Sequence, residues 1–255
     1  KFMMFSTLDM SPMITPIIFI PARMESTRFP GKPLAPIDGI PMIVYIAKNA
    51  SNSGYQSYVC TDSNQIVQVC KLYSVNVILT PEFATGTDRV AWSAAELGCE
   101  FAVNLQGDEP LINADKLREF IQFCLTNYDE KFTYNALSAV ASREAFDPNN
   151  VKCVCSSLLN KVLYYSRCPL CSESNHEIDK PYFKQLGLYA MSSVMLKLYS
   201  SLSQSPLELA ERIELIRLLE HGHHIVPYDL NLSTISVDTP EDFIKVLDYL
   251  KSVSQ

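Results

Sequence analysis

Short apolar runs and amphipathic stretches alternate along the first half of the chain. Ile17-Ile18-Phe19-Ile20 is continuously apolar, as in a strand buried on both faces, and Pro21 ends it. A polar, basic loop follows to Lys32. The spacing of Met42, Ile43, Tyr45 and Ile46 then predicts a helix over Pro41–Ala50. The same alternation gives a strand at Gln56–Cys60, a helix at Asn64–Tyr73, a strand at Asn76–Leu79, a helix at Thr87–Leu97 and a strand at Phe101–Leu105. Strand and helix in strict alternation imply a parallel sheet covered on both faces.

The pattern changes after about residue 131. Thr133–Ser142, Val151–Cys155, Val162–Ser166 and Gly187–Met191 read as strands without regular intervening helices, and Pro169–Lys180 is polar and irregular. This predicts an insertion or mixed sheet extension at about 133–192. Ser205-Pro206-Leu207-Glu208 carries a capping serine, proline at the first helical position and glutamate at the third. The helix it opens is expected to run to Gly222. Val237 belongs to an expected short apolar strand, after which Thr239-Pro240-Glu241-Asp242 opens the last helix, Phe243–Val253.

Composition narrows the class. The 255 residues are 47% hydrophobic and 19% charged, which marks a globular chain. The expectation is one domain over 13–255, with residues 1–12 as an N-terminal extension carrying no clear signal. The chain begins with Lys1, so a fragment or processed form is expected. With 21 basic against 28 acidic residues the net charge is −7, which argues against nucleic acid as a partner. The apolar stretch Ile14–Ile20 is broken by Pro16 and too short to span a membrane. With no secretory pattern, the cytoplasm is the expected location. Most of the eight cysteines sit in apolar runs and read as reduced core residues. Cys153, Cys155, Cys168 and Cys171 could offer four thiolates to zinc, but the one-residue gap between Cys153 and Cys155 suits alternating strand residues better.

Parallel sheets bind ligands where their strands end. After the first strand come Arg23, Arg28 and Lys32, with Ser26 and Thr27 as hydroxyl donors and Gly31 permitting close approach. Such a cluster suits a triphosphate, the alternative being a solvated surface loop. No Gly-x-Gly occurs, and Gly31-Lys32 is followed by Pro33, so neither the dinucleotide fingerprint nor a Walker loop is present. After the fourth strand, Gln106-Gly107-Asp108-Glu109-Pro110 presents Asp108 at the same edge. Asp238 precedes the last helix, where Thr239 already fills the capping role. Two loop carboxylates suit magnesium, with a plain helix-start role as the alternative for Asp238.

These pieces occur in a familiar order. Ile20-Pro21-Ala22-Arg23, Ser26–Leu34, Gly39–Met42, Thr61-Asp62, Thr85-Gly86-Thr87-Asp88-Arg89, Asn104–Pro110, Tyr164–Arg167, Gly187-Leu188-Tyr189 and Val237–Asp242 together resemble the 3-deoxy-manno-octulosonate (Kdo) cytidylyltransferases, from about residue 14 to the end. The resemblance implies a Rossmann-like nucleotidyltransferase core in an α/β fold, with a smaller extension used for homodimerisation. It implies Mg²⁺-dependent transfer of CMP from CTP to the acidic 3-deoxy sugar Kdo, releasing pyrophosphate, for lipopolysaccharide synthesis. Arg23, Arg28 and Lys32 would hold the β- and γ-phosphates, aided by Ser26 and Thr27. Thr85, Gly86, Thr87 and Arg89 would sit near the cytosine and phosphates, and Asp108 and Asp238 would hold magnesium. Gln106, Arg167, Gln185, Tyr189 and Glu214 would serve the sugar site. No histidine is required as a base; His221, His223 and His224 are read as a group at a helix end. The departures from the family pattern are Gln185 in place of His, Leu215 in place of Gln, and Cys168-Pro169-Leu170-Cys171. Gln185 and Leu215 motivate 8-amino-Kdo or another acidic sugar as the alternative substrate. A non-catalytic nucleotide-binding protein is the alternative of a different class.

Overall fold

The structure, a computed structural model, describes residues 14–140, 142–170 and 182–253. The expectations for residues 1–12 and for Cys171 lie outside the described residues. In chain order the elements are β1 (Pro16–Pro21), β2 (Pro36–Ile37), β3 (Ile40–Pro41), α1 (Met42–Asn52), β4 (Gln56–Thr61), α2 (Asn64–Leu72), β5 (Val77–Leu79), α3 (Gly86–Glu96), β6 (Phe101–Leu105) and α4 (Ala114–Thr126). There follow β7 (Phe132–Val140), α5 (Ser142–Ala145), β8 (Lys152–Ser156), β9 (Lys161–Ser166), β10 (Tyr182–Ser192), α6 (Ser193–Ser201), α7 (Pro206–Glu211), α8 (Ile216–Glu220), β11 (His224–Asp229) and α9 (Pro240–Val253).

The central sheet has the order β11-β7-β10-β6-β1-β4-β5. β10 runs antiparallel to β6 and β7; the other pairings along this path are parallel. The strands of β1 and β6 divide their side chains between two cores, as alternation across a pleat requires. Ile18, Ile20, Val103 and Leu105 enter one core with α1 and α4, while Phe19 and Ala102 enter the other with α3 and α6. The predicted two-sided α/β architecture is therefore present. β8 and β9 form a hairpin that joins the far part of β10.

Several expectations change. α4 was not singled out, although Asn113 caps it by accepting from the Lys116 N–H, and Leu117, Phe120, Ile121 and Cys124 bury one face. The helix expected from Ser205 to Gly222 breaks into α7 and α8. Arg212 adopts a left-handed conformation (φ 56°) and its N–H closes on the Glu208 carbonyl. The break lets the Arg217 guanidinium turn back onto the Glu208 carboxylate, with Nε–Oε2 at 2.8 Å and Nη2–Oε1 at 2.7 Å. The strand near the chain end is His224–Asp229, and the segment carrying Val237 belongs to no strand. The histidines separate accordingly: His221 caps α8, whereas His224 lies on β11 stacked against Phe132.

Candidate active site

A cleft of about 290 Å³ opens where β1 and β6 end, on the side that sequence reasoning indicated. One wall is the loop after β1. Gly31, at φ 71°, turns the chain so that Lys32 starts a short 3-10 helix and aims into the cleft. The floor is the turn after β6. Gly107 is required there because a methyl group at its position would stand 2.8 Å from the Pro21 carbonyl oxygen. The Val237 N–H donates to the Asp108 carbonyl at 2.8 Å, which docks the segment carrying Asp238 onto this turn.

Lys32 is the hub. Its ammonium lies 3.0 Å from Asp108 Oδ2 and 3.8 Å from Asp238 Oδ1, and donates to the Val237 carbonyl at 2.6 Å. Arg28 reaches Asp238 at 2.9 Å and also donates to Asn149. Burial first, then the negative charge of Asp108, raise the Asp238 pKa above its usual range, while Lys32 and Arg28 pull it back. Arg23 is exposed at the cleft and forms no ion pair or hydrogen bond among the described residues.

The opposite wall is the N-terminus of α3. Thr85 caps the helix by accepting from the Asp88 N–H. Glu214, delivered by the corner between α7 and α8, accepts from the Gly86 N–H at 3.1 Å, the Thr87 N–H at 2.9 Å and the Thr87 and Tyr189 hydroxyls. Helix N-terminal amides favour a carboxylate. Arg89 is almost fully buried and binds Asp62 and Thr80, both at 2.5 Å. Gln106 donates to the Tyr189 hydroxyl at 2.7 Å.

Of the residues expected from sequence, Arg23, Ser26, Thr27, Arg28, Lys32, Thr85, Gly86, Arg89, Gln106, Asp108, Glu214 and Asp238 line the cleft together. Thr87 and Tyr189 are buried just behind it, tied to Glu214. Arg167 and Gln185 are not among its lining residues. Arg167 instead binds the Glu211 carbonyl and the Pro148 carbonyl, and Gln185 lies on β10 opposite Leu137. Leu215 is fully buried in a core, so its departure from the family pattern does not reach the cleft. Sequence reasoning assigned no role to Glu109. Its buried carboxylate accepts from Gly187, Ser236 and Thr234 and so ties β10 to the Asp238 segment. Its place directly after Asp108 was the available signal. The basic loop is also less basic in its setting than in sequence. The cleft's cations are Arg23, Arg28, Lys32 and Arg89, and its carboxylates are Glu25, Asp108, Glu214 and Asp238.

Among the described residues no group of three or more His, Cys, Asp or Glu side chains is arranged to hold a metal. No helix there is long and apolar enough to cross a membrane.

Comparison with known proteins agrees with this geometry. The cytidylyltransferase family model matches residues 17–225. The 3-deoxy-manno-octulosonate cytidylyltransferase of Wolinella succinogenes is 37% identical, covering 91% of this chain and 98% of that protein. The 8-amino-3,8-dideoxy-manno-octulosonate cytidylyltransferase of Shewanella woodyi is also 37% identical, covering 88% and 94%. A solved CMP:2-keto-3-deoxy-manno-octonic acid synthetase in complex with CTP superposes with a TM-score of 0.85 at 31% identity, over 93% of this chain and 99% of that one. With its cleft at the carboxyl edge of a mostly parallel sheet and its family motifs gathered around that cleft, the chain belongs to the cytidylyltransferase family.

Proposed function

We propose that the chain transfers CMP from CTP to 3-deoxy-manno-octulosonate, releasing pyrophosphate for lipopolysaccharide synthesis. The observation that carries this reading is the convergence of Asp108 and Asp238 on Lys32 at the cleft floor. A site for a neutral or uncharged nucleoside has no use for two carboxylates beside one ammonium.

The charge balance supports a divalent cation. A triphosphate carries several negative charges, and the cleft's own cations are largely paired with carboxylates. Added positive charge is therefore required, and Asp108 and Asp238 are hard oxygen donors of the kind magnesium takes, the remaining ligands coming from water and phosphate. When bound, the ion would neutralise charge on the phosphates and lower the pKa of the attacking hydroxyl. The protein groups do the rest by placement. Arg23, Arg28 and Lys32 hold the β- and γ-phosphates, with Ser26 and Thr27 as further donors. Thr85, Gly86, Thr87 and Arg89 form the wall for the nucleotide. Glu214, held in place by the α3 amides, together with Gln106 and Tyr189, presents polar groups to the sugar. The anomeric hydroxyl attacks the α-phosphorus in line and pyrophosphate leaves.

The related 8-amino sugar is the second reading, supported by the Shewanella relative. A homodimer is also part of the proposal. Leu158, Leu159 and Leu163 are exposed on the β8–β9 hairpin, an apolar surface that a second copy would cover. A cytoplasmic setting is also part of the proposal, supported by cysteines such as Cys60, Cys70 and Cys99 that pack singly in the cores. The test is pyrophosphate release with CTP, Mg²⁺ and Kdo. Release only with the 8-amino sugar would move the assignment to that substrate, and CTP binding without release on any acidic sugar would leave a nucleotide-binding protein.

A further inference from the structure

Cys153 and Cys155 lie on β8 with one residue between them, and their sulfur atoms stand 3.4 Å apart. Alternate residues of an extended strand share a face but are spaced by roughly 6.5–7 Å along it. The two side chains therefore lean toward each other across Val154. The hairpin ladder is irregular at this point. Val154 pairs with Tyr164 but Cys155 pairs with Val162, which leaves Leu163 as an extra residue. A bulge of this kind bends and twists the pair of strands.

The two thiols differ in access. Cys153 is 6% exposed in the core beside Tyr165, whereas Cys155 is partly exposed. The hydrogen bond from Cys153 draws the Cys155 thiol below its ordinary pKa, while burial holds the Cys153 thiol well above it. Cys60, Cys70 and Cys99 are buried singly, with thiols pushed up to about 12, about 11 and about 11, as inert core cysteines are. Neither Cys153 nor Cys155 lines the cleft.

The geometry points to the Cys153–Cys155 pair as a thiol–disulfide exchange site that reacts with small disulfides. Cys155, as thiolate, attacks one sulfur of the small disulfide. A Cys155–sulfur bond forms, the small disulfide's S–S bond breaks, and one thiol leaves with a proton. Cys153 then gives up its proton and attacks the Cys155 sulfur, and the second small thiol leaves. Two protein thiols are oxidised to one disulfide while one small disulfide is reduced to two thiols. The sulfurs must close by roughly 1.4 Å to reach bonding distance. The extra residue lies on β9 opposite Cys155, so the ladder is already interrupted beside the pair.

The test uses the folded wild-type protein and oxidised glutathione, followed by alkylation and trypsin. Cleavage after Lys152 and Lys161 releases Cys153–Lys161, which holds both thiols and no other cysteine. The expected product is this peptide about 2 Da lighter than its reduced form, resistant to alkylation and restored by dithiothreitol. Cys153→Ser should instead trap one glutathione on Cys155, and Cys155→Ser should leave Cys153 unmodified. The proposal is overturned if both thiols of the wild-type peptide remain alkylatable while the exposed Cys168 takes up glutathione. It is equally overturned if the internal disulfide forms only in urea. Both of these readings come from the wild-type chain, so they stand even if a serine variant fails to fold.

Discussion

Replacing Glu109 with alanine removes the joint between β10, the Asp108 turn and the Asp238 segment. The carboxylate is 2% exposed and accepts from the Gly187 N–H at 2.9 Å, the Ser236 hydroxyl at 2.6 Å and the Thr234 hydroxyl at 3.4 Å. Its negative charge also favours the protonated form of the buried Lys184, whose ammonium donates to the Thr234 carbonyl. Truncation leaves the half-buried Gly187 and Ser236 donors without an acceptor, at about 1–2 kcal/mol each. It also removes a favourable charge from the surroundings of Lys184. Loss of repulsion between Glu109 and Asp108 offsets part of this. The expected loss is about 2–4 kcal/mol from the two stranded donors, a large share of a typical total of about 5–15 kcal/mol. Urea unfolding followed by circular dichroism measures it. Glu109→Gln keeps the volume and one carbonyl acceptor, and should recover more than half of the loss. An alanine variant within about 1 kcal/mol of wild type would refute the assignment of Glu109 as the joint.

Three further outcomes are expected. Gly107→Ala drives a methyl group to 2.8 Å from the Pro21 carbonyl, so it should cost about 1–3 kcal/mol and lower kcat by displacing Asp108, read by thermal melting and pyrophosphate release. Arg217→Met leaves the buried Glu208 carboxylate unpaired and unties α8 from Asp88, at about 3–5 kcal/mol, with melting temperature as the measure. Asp238 has its pKa raised in the folded chain, so its ionised form appears only above the ordinary 3.8, and transfer activity should fall as pH drops through that raised value. The same shift means that its contribution to stability is present below 3.8 and lost as pH rises through the folded value; Asp238→Asn should therefore abolish turnover without losing stability at neutral pH.

Strands β1 and β6 were legible because each is a short, mostly apolar run whose alternate residues feed two cores, and β4 because Val59 and Cys60 do the same. The basic loop and Asp108 were legible because they follow strand ends directly. Local signals misled where a distant group decides the backbone. The capping serine at Ser205 correctly starts a helix, but nothing within that segment announces that Arg217 will fold back onto Glu208. The resulting corner moves Glu214 to the N-terminus of α3, 128 residues away in sequence from Gly86. Arg167 and Gln185 show where order along the chain stops informing: in the fold they lie outside the cleft's lining, Arg167 bound to the Glu211 carbonyl and Gln185 paired with Leu137.

The basic character of the triphosphate loop was evident from Arg23, Arg28 and Lys32 alone. Only the fold set Asp108 and Asp238 against Lys32 and Arg28, turning a cationic loop into a nearly balanced cleft. The physical reason is that local sequence governs which residues lie at a strand end, through periodicity and turn chemistry. Net charge at a site depends instead on loops brought together from positions as distant as Lys32 and Asp238, and their approach is fixed by packing and by buried joints such as Glu109.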